Sequence, residues 1–595
     1  MADGRDAAPG FRFRDTFPWM SIFRCFQVAL DPRKLLVAAA GILVMSIGWW
    51  VLSALFYYKA PDRTAPEYTN AAILKEYDGR KKPGTDAFYD ATDAEQIANK
   101  RFATDFAQWQ VMADLAGPAD ETDPTTKRPI PVGRFRAAPW DEYRGPNPFL
   151  FATNVLAGGA TERADSIGRF ISGSIPVLVE PLVKLLVPVA KMVSPGVGAR
   201  TRIYLFFLIL WNVAVWAYFG GVITRLAAVS LANRGPVTLR QAGQFVATRY
   251  VNYLLSPMVP LAIIAVVIAG LFVYGMIALI PLVGDILLIG LLLPLVLLAG
   301  VIMAIFLVGL VGYPLMYPTL SVEGDSSDTF DALSRSVNYV YQSPWSYLWN
   351  WFVAVLYGAV VTFFVLFFTS LAVYVGKWAL GLPASAMWES RKPEYLFIYA
   401  PESFGWKELL LQGSPYEVTH STAVSPTGRV VDVYAKKDVA EFDRNRAEFY
   451  WFNTWGAGLV GFWLGLAFLM MLGFSYSFFW TAATAIYYLM RKKVDEAEPD
   501  EVFLEDEEPE VPSAPAKPVE APAIASGPVG GTSLTVINAP PPPVVPPPPP
   551  IVMSPPPVVP PPPPPVVVSP PPPVAETPPA LEPGEAPKPD DKPIV

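Results

Sequence analysis

The chain has one cysteine, Cys25, and one histidine, His420, in 595 residues. A lone cysteine excludes a disulfide framework within the chain and any cysteine-rich zinc centre. A lone histidine excludes paired-histidine metal sites and leaves one candidate for a histidine-dependent triad. Charge is scarce as well. Only 16% of residues are Asp, Glu, Lys or Arg, against about 25% in soluble domains, which argues against an ordinary cytosolic enzyme. The phosphate-binding loop, the dinucleotide glycine fingerprint, the nucleophile elbow and the zinc-protease helix are missing. So is the basic, aromatic-interleaved face that a nucleic-acid partner needs. Acidic pairs such as Asp86 with Asp90, and Asp93 with Glu95, do not extend into a calcium loop and read as a solvated face. The expectation is no catalytic set, no cofactor, no metal and no nucleic acid.

Apolar residues and proline are plentiful instead, at 52% and 65 residues. The formal charge of -8 is an average over two unlike parts. Residues 494–595 hold 16 acids, 3 lysines and 35 of the prolines, whereas residues 1–493 carry a net charge of +5. Apolar runs in the body reach the roughly 20 residues that a bilayer crossing needs. They predict an all-α polytopic membrane protein with six spans, at 35–58, 203–224, 258–280, 286–313, 347–375 and 455–490. The first run is too long for a signal-peptide core and follows a basic leader, 1–34, so it reads as an uncleaved anchor. Pro294 and three glycines predict a kink in the fourth span.

Basic residues in the leader, in loop 225–257 and at Arg491-Lys492-Lys493 fall on one side of a six-span chain. The positive-inside rule makes that side, with both termini, cytoplasmic. Two larger segments, 59–202 and 376–454, then face outward. Within the first, a helix-like stretch covers 94–113. A proline-interrupted amphipathic stretch covers 165–193, with Glu180, Lys184 and Lys191 on its polar face. Two placements stand for that stretch: lying in the outer membrane interface, or packed on the outer segment's own core. In the second segment, Tyr395–Tyr399 and Arg429–Tyr434 read as short strands, with a turn signal at 425–428; an outer cap with some β structure follows.

Loops 225–257 and 314–346 resemble each other. Each carries Arg-x-Val-Asn-Tyr followed by Ser-Pro: Arg249, Asn252, Tyr253 and Pro257 in the first, Arg335, Asn338, Tyr339 and Pro344 in the second. Each opens on a capping signal, Thr238 with Gln241 and Asp328 with Asp331. Apolar residues recur at helical spacing, as Leu239, Ala242, Val246, Tyr250 and Tyr253, and as Phe330, Leu333, Val337 and Tyr341. The proline is expected at the start of the next membrane helix. This gives a parallel internal repeat of spans 2–3 and 4–5, of the kind found in transporters and in other bundles.

On these residues the chain resembles bacterial multi-pass families, including Yip-like proteins and the membrane domain attached to some glycerophosphodiester phosphodiesterases. The stretches Ser321–Gly324, Asp331–Ser336, Ser343–Trp345 and Ile486–Arg491 also resemble uncharacterised bacterial membrane proteins. The likeness covers about residues 200–505. It implies a bacterial cytoplasmic-membrane bundle and transfers no catalytic residue.

Three polar residues stand out. Asn212 lies in the second span, where bonding to a neighbouring helix competes with substrate binding. Asp285 lies between the third and fourth spans, where an N-cap is the simpler role. His420 reads as a loop or strand-edge residue. The tail, 491–595, is acidic and then proline-rich. It is expected to be disordered, with polyproline II character over 539–574. It reads either as a stiff spacer or as a ligand for a partner with an aromatic groove. The partners expected are the lipid bilayer and a protein engaging this tail. Three functions remain open: a non-enzymatic envelope protein organising partners through its outer segments and tail, a transporter or permease subunit, and a lipid-acting enzyme that uses His420.

Overall fold

Asp31 starts the first long helix. Its carboxylate accepts the Arg33 amide at 3.0 Å, and Pro32, which has no amide to lose, follows at once. The computed structural model describes residues 17–504 apart from 83, 85, 120–121, 123–129, 158–174, 176, 388–392 and 499–500. The proline-rich run, and residues 165–174 of the amphipathic stretch, lie outside the described residues. The chain divides into a unit Met1–Val511 and a unit Pro512–Val595, the second wholly outside them.

The main elements are α1 (Pro32–Phe56), α2 (Ala91–Ala116), α3 (Glu180–Met192), α4 (Ala199–Leu231), α5 (Leu239–Thr248) and α6 (Tyr250–Ala278). Then come α7 (Leu293–Leu310), α8 (Tyr313–Glu323), α9 (Thr329–Gln342) and α10 (Pro344–Met387). A hairpin of β1 (Val418–Val424) and β2 (Val430–Lys436) follows, and α11 (Trp451–Val494) closes the series. Among the described residues six helices are long and apolar enough to cross a membrane: α1, α4, α6, α7, α10 and α11. The protein is therefore an all-α, multi-pass integral membrane protein, with one antiparallel hairpin in its cap.

Small residues let the central helices approach. Gly41 and Gly48 of α1 lie against Phe219 and Trp211 of α4, and Gly473 of α11 lies against the Leu35 carbonyl of α1. The α6–α7 hairpin is different: from Val266 to Val311 large apolar side chains are turned outward almost everywhere. Such a surface calls for lipid rather than water.

Arg24 donates to Asn233, Arg33 to the Val237 carbonyl and Arg491 to Glu501, so the leader, the α4–α5 turn and the end of α11 share one end of the bundle, the terminal face. The described residues of 57–157 and 393–450 lie toward the opposite end, the cap face. Cys25 is fully buried on the terminal-face side of the bundle, and burial pushes its thiol pKa up to about 12. It therefore stays silent to thiol reagents from either side. The orientation is tested instead with Asp86→Cys, whose parent side chain is 98% exposed in the cap. An impermeant maleimide applied to intact cells should label it; no labelling until lysis reverses the expected orientation.

Several expectations are corrected. The second span runs on to Leu231, so Arg225 is buried inside α4 rather than in a loop. Pro257 lies within α6, seven residues after its start, because α6 already begins at Tyr250; Pro344 does begin α10. The fourth span is three pieces, a wide helical turn Val283–Leu291, α7 and α8. Pro294 at the start of α7 and the Gly309–Gly312 break mark the joints. Tyr395–Tyr399 is not a strand: Pro393–Phe397 forms a 3-10 turn.

Candidate functional site

The described part of the amphipathic stretch takes neither of the two expected placements and packs into the bundle. Leu178 packs on Gly358, a third of the way along α10, and shares a buried cluster with Phe478 of α11. Glu180, the first residue of α3, is 5% exposed. Its carboxylate accepts the Arg144 fork, Nε and one terminal nitrogen each at 3.0 Å. Lys184, one helical turn on, reaches it at 2.6 Å. The Tyr476 hydroxyl of α11 donates at 3.3 Å. Lys184 also meets the Glu142 carboxylate at 2.8 Å, and Arg144 donates to the Ser403 hydroxyl at 3.1 Å. Glu180 and Lys184 on the polar face of α3 thus point inward, whereas Lys191, farther along that face, is exposed. The reason is pairing: each charge has a counter-charge supplied by another segment, so burial does not strand it.

The surroundings fix the depth of this cluster. The Tyr476 ring stacks on Trp216 of α4 at 4.6 Å, and Trp216 donates to the Met45 sulfur of α1. Lys184 lies 5.6 Å from the Trp49 ring centroid, and Trp49 meets Phe135 edge-on. All but Phe135 of these aromatic and sulfur partners belong to spans. Burial alone would raise the Glu180 pKa, but the Arg144 and Lys184 charges outweigh it and hold the carboxyl below the ordinary carboxylate range.

A cavity of about 340 Å³ opens beside the cluster, near the lower end for ligand sites. Trp49, Phe135, Val177, Val183 and Val187 form its apolar wall, and Arg134, Glu142, Tyr143, Arg144, Glu180 and Lys184 its polar one. Charges of the two glutamates cancel Arg144 and Lys184. Arg134, which forms no ion pair with a described residue, leaves the wall one positive charge in excess. Burial, with Arg429 nearby, works against that charge and outweighs the Glu142 and Asp114 carboxylates that work for it, so the wall keeps room for a further negative charge.

The loop that presents Arg134 is held by backbone. Residues 133, 134 and 135 donate to the carbonyls of Gly117, Asp114 and Leu115 at the end of α2, at 2.9 to 3.1 Å. Those carbonyls are among the ones that a helix end leaves without partners.

Of the residues singled out from sequence, His420 comes nearest. It sits on β1, bonded to Asp432 of β2 at 2.8 Å, with its ring 5.0 Å from that of Tyr143, which lines the cavity. That is the expected strand position, one layer behind the wall. Asn212 is 2% exposed, and its side-chain oxygen has no hydrogen-bond partner among the described residues. Asp285 lies in the wide turn Val283–Leu291 and caps nothing; α7 starts later, at Leu293.

The residues of the Arg-x-Val-Asn-Tyr pair gather at the terminal face with unlike partners. Arg249 meets Asp325, Asn252 accepts from Thr329, and the Tyr253 hydroxyl bonds Ser321. Arg335 meets Asp331 and Glu323, Asn338 accepts from Gln342, and Tyr339 donates to Asp495. Both capping signals form, the first as a reciprocal box. The helix faces differ. α5 buries Ala242, Phe245 and Val246, whereas α9 turns Phe330 and Tyr341 outward and buries Ala332, Ser336 and Tyr339. No protein-family model, curated protein or solved structure matches the chain.

Proposed function

We propose that the protein is a non-catalytic, permease-like membrane protein that binds an anionic amphiphile where its cap meets its bundle. The observation that carries this is Glu180, paired with Arg144 and Lys184 at the depth of Trp216 and Tyr476, beside a cavity lined by Arg134, which has no ion pair among the described residues. Ionisable groups at that depth are costly and mark ligand or ion pathways by default. Backbone that enters a membrane from one side and stops inside is tolerated where it lines a cavity. The one-sided apolar wall suits an alkyl chain, and Arg134 with Lys184 suits a phosphate or carboxylate. In this reading the terminal face is cytoplasmic, the membrane is the bacterial cytoplasmic membrane, as the family resemblance implies, and the organising role falls to the tail.

Native mass spectrometry of the detergent-purified chain tests it, with phosphatidylglycerol, phosphatidylcholine and inorganic phosphate as probes. Phosphatidylglycerol should bind best. Arg134→Gln should weaken it about tenfold, the scale of a lost charge-assisted hydrogen bond. Equal retention of both lipids, unchanged in Arg134→Gln, defeats the proposal. Preference for inorganic phosphate would assign the cavity to a free anion.

A further inference from the structure

At the terminal face the root of the tail folds back onto the bundle. Phe503 donates its amide to the Val322 carbonyl at 2.9 Å, and its own carbonyl accepts Arg225 at 2.8 Å. Arg491 holds the Glu501 carbonyl at 2.7 Å and faces its carboxylate at 3.4 Å. Val502 is 6% exposed. The Phe503 ring lies 6.5 Å from that of Phe245 and 5.6 Å from the Arg249 guanidinium. It covers Gly324 so closely that a Cβ there would stand 2.3 Å from the ring, and Gly324 has φ +61.

The groove is a consequence of how α8 ends. The last carbonyls of a helix lack partners in the helix. Here Arg225 takes that of Ser321, at 2.7 Å, and Phe503 takes that of Val322. Arg225 and Arg249 bring their guanidinium carbons 3.9 and 4.0 Å from the Phe245 ring centroid. The floor is therefore aromatic and its rim cationic. The tail around Phe503 is acidic from Asp495 to Glu510, so sequence and groove are complementary in charge as well as in shape.

We propose that this groove is a docking site for an acidic peptide with a central phenylalanine, and that Glu501–Leu504 is its resident, releasable occupant. The scale permits release: one aromatic anchor and a few hydrogen bonds hold four residues, a footprint typical of locally opening segments. A partner that presents the same chemistry, or that pulls on the proline-rich tail, trades places with it. The tail is then the reporter of whether the groove is filled, which ties the terminal face to whatever the tail engages.

The test uses the full chain and a fluorescein-labelled peptide of residues 495–508. In the wild type the tethered segment competes at a local concentration of order millimolar, so the free peptide should bind weakly. Phe503→Ala should raise its affinity at least about tenfold by emptying the groove. Adding Gly324→Val, which fills the ring's place, should abolish that gain. Equal affinity for wild type and Phe503→Ala, or a gain untouched by Gly324→Val, overturns the proposal. Hydrogen exchange on the unaltered chain supplies a readout that needs no variant. The Phe503 amide should be protected relative to the free peptide, and equally so on dilution. Exchange at the free-peptide rate refutes docking, and protection lost on dilution refutes the resident occupant in favour of a second copy's tail.

Discussion

Glu180→Ala should be the most damaging single substitution in the cavity wall, costing about 3–5 kcal/mol, the range for removing one partner of a buried pair. It takes the bidentate acceptor from Arg144, whose side chain is 4% exposed, and leaves Arg144 and Lys184 to share the one Glu142 carboxylate. Glu180→Gln should cost less, since its amide oxygen still accepts one bond. The informative comparison is the double variant Glu180→Leu with Arg144→Met. It removes both charges and should recover much of the loss, because a buried pair replaced by apolar groups is often close to neutral. Thermal unfolding in micelles, followed by circular dichroism, measures all three. If Glu180→Ala unfolds within 1 kcal/mol of the wild type, the cluster is open to water and the burial argument fails. The same set separates stability from binding. The double variant folds but lacks the paired wall, so lipid retention there tests whether the cluster positions a ligand or only fastens the cap.

The spans were legible because their signal is composition over length: no soluble context explains 24 apolar residues after Lys34. The caps were legible too, since Thr238 with Gln241 and Asp328 with Asp331 act over three residues and need no tertiary knowledge. Helix ends were less so. α4 continues to Leu231 through Arg225 because a charge inside a helix can be answered by a distant backbone, here the carbonyls of Ser321 and Phe503. The candidate site failed to show for the same reason. Glu180 and Lys184 gave a polar stripe whose placement stayed open between the membrane interface and the outer segment's own core, and only Arg144 and Glu142, some 40 residues earlier, turn it into the bundle. One local signal was present. Pro176, Pro181 and Pro188 in a strongly apolar stretch mark a helix that starts and stops within reach of a membrane, a better pointer to a re-entrant segment than to an interface helix. Phe503 was hidden by its neighbours: an acidic, proline-bounded run predicts disorder, and a four-residue anchor inside it is too short to register in composition.

Gly133→Ala should be nearly as severe, for a different reason. A Cβ at 133 would stand 2.4 Å from the Gly117 nitrogen and 2.6 Å from that of Ala116. Both are backbone atoms at the end of α2, and neither can swing aside as a side chain would. Either the 133–135 strip lifts away or the end of α2 unwinds, and both routes break the three amide bonds to Gly117, Asp114 and Leu115. Overpacking a core costs about 1–3 kcal/mol; with those bonds lost as well, the expected cost is about 3 kcal/mol or more. The strip carries Arg134 and Phe135, so the damage is directional. Trp49 should lose its edge contact with Phe135, and phosphatidylglycerol retention should fall even in the fraction that stays folded. Gly300→Ala is the matched control: it lies in α7 with open space around its Cα and should be neutral or slightly stabilising. A Gly133→Ala chain that melts like the control and keeps its lipid would show that the strip moves freely, and Arg134 would then not be a fixed part of the cavity wall.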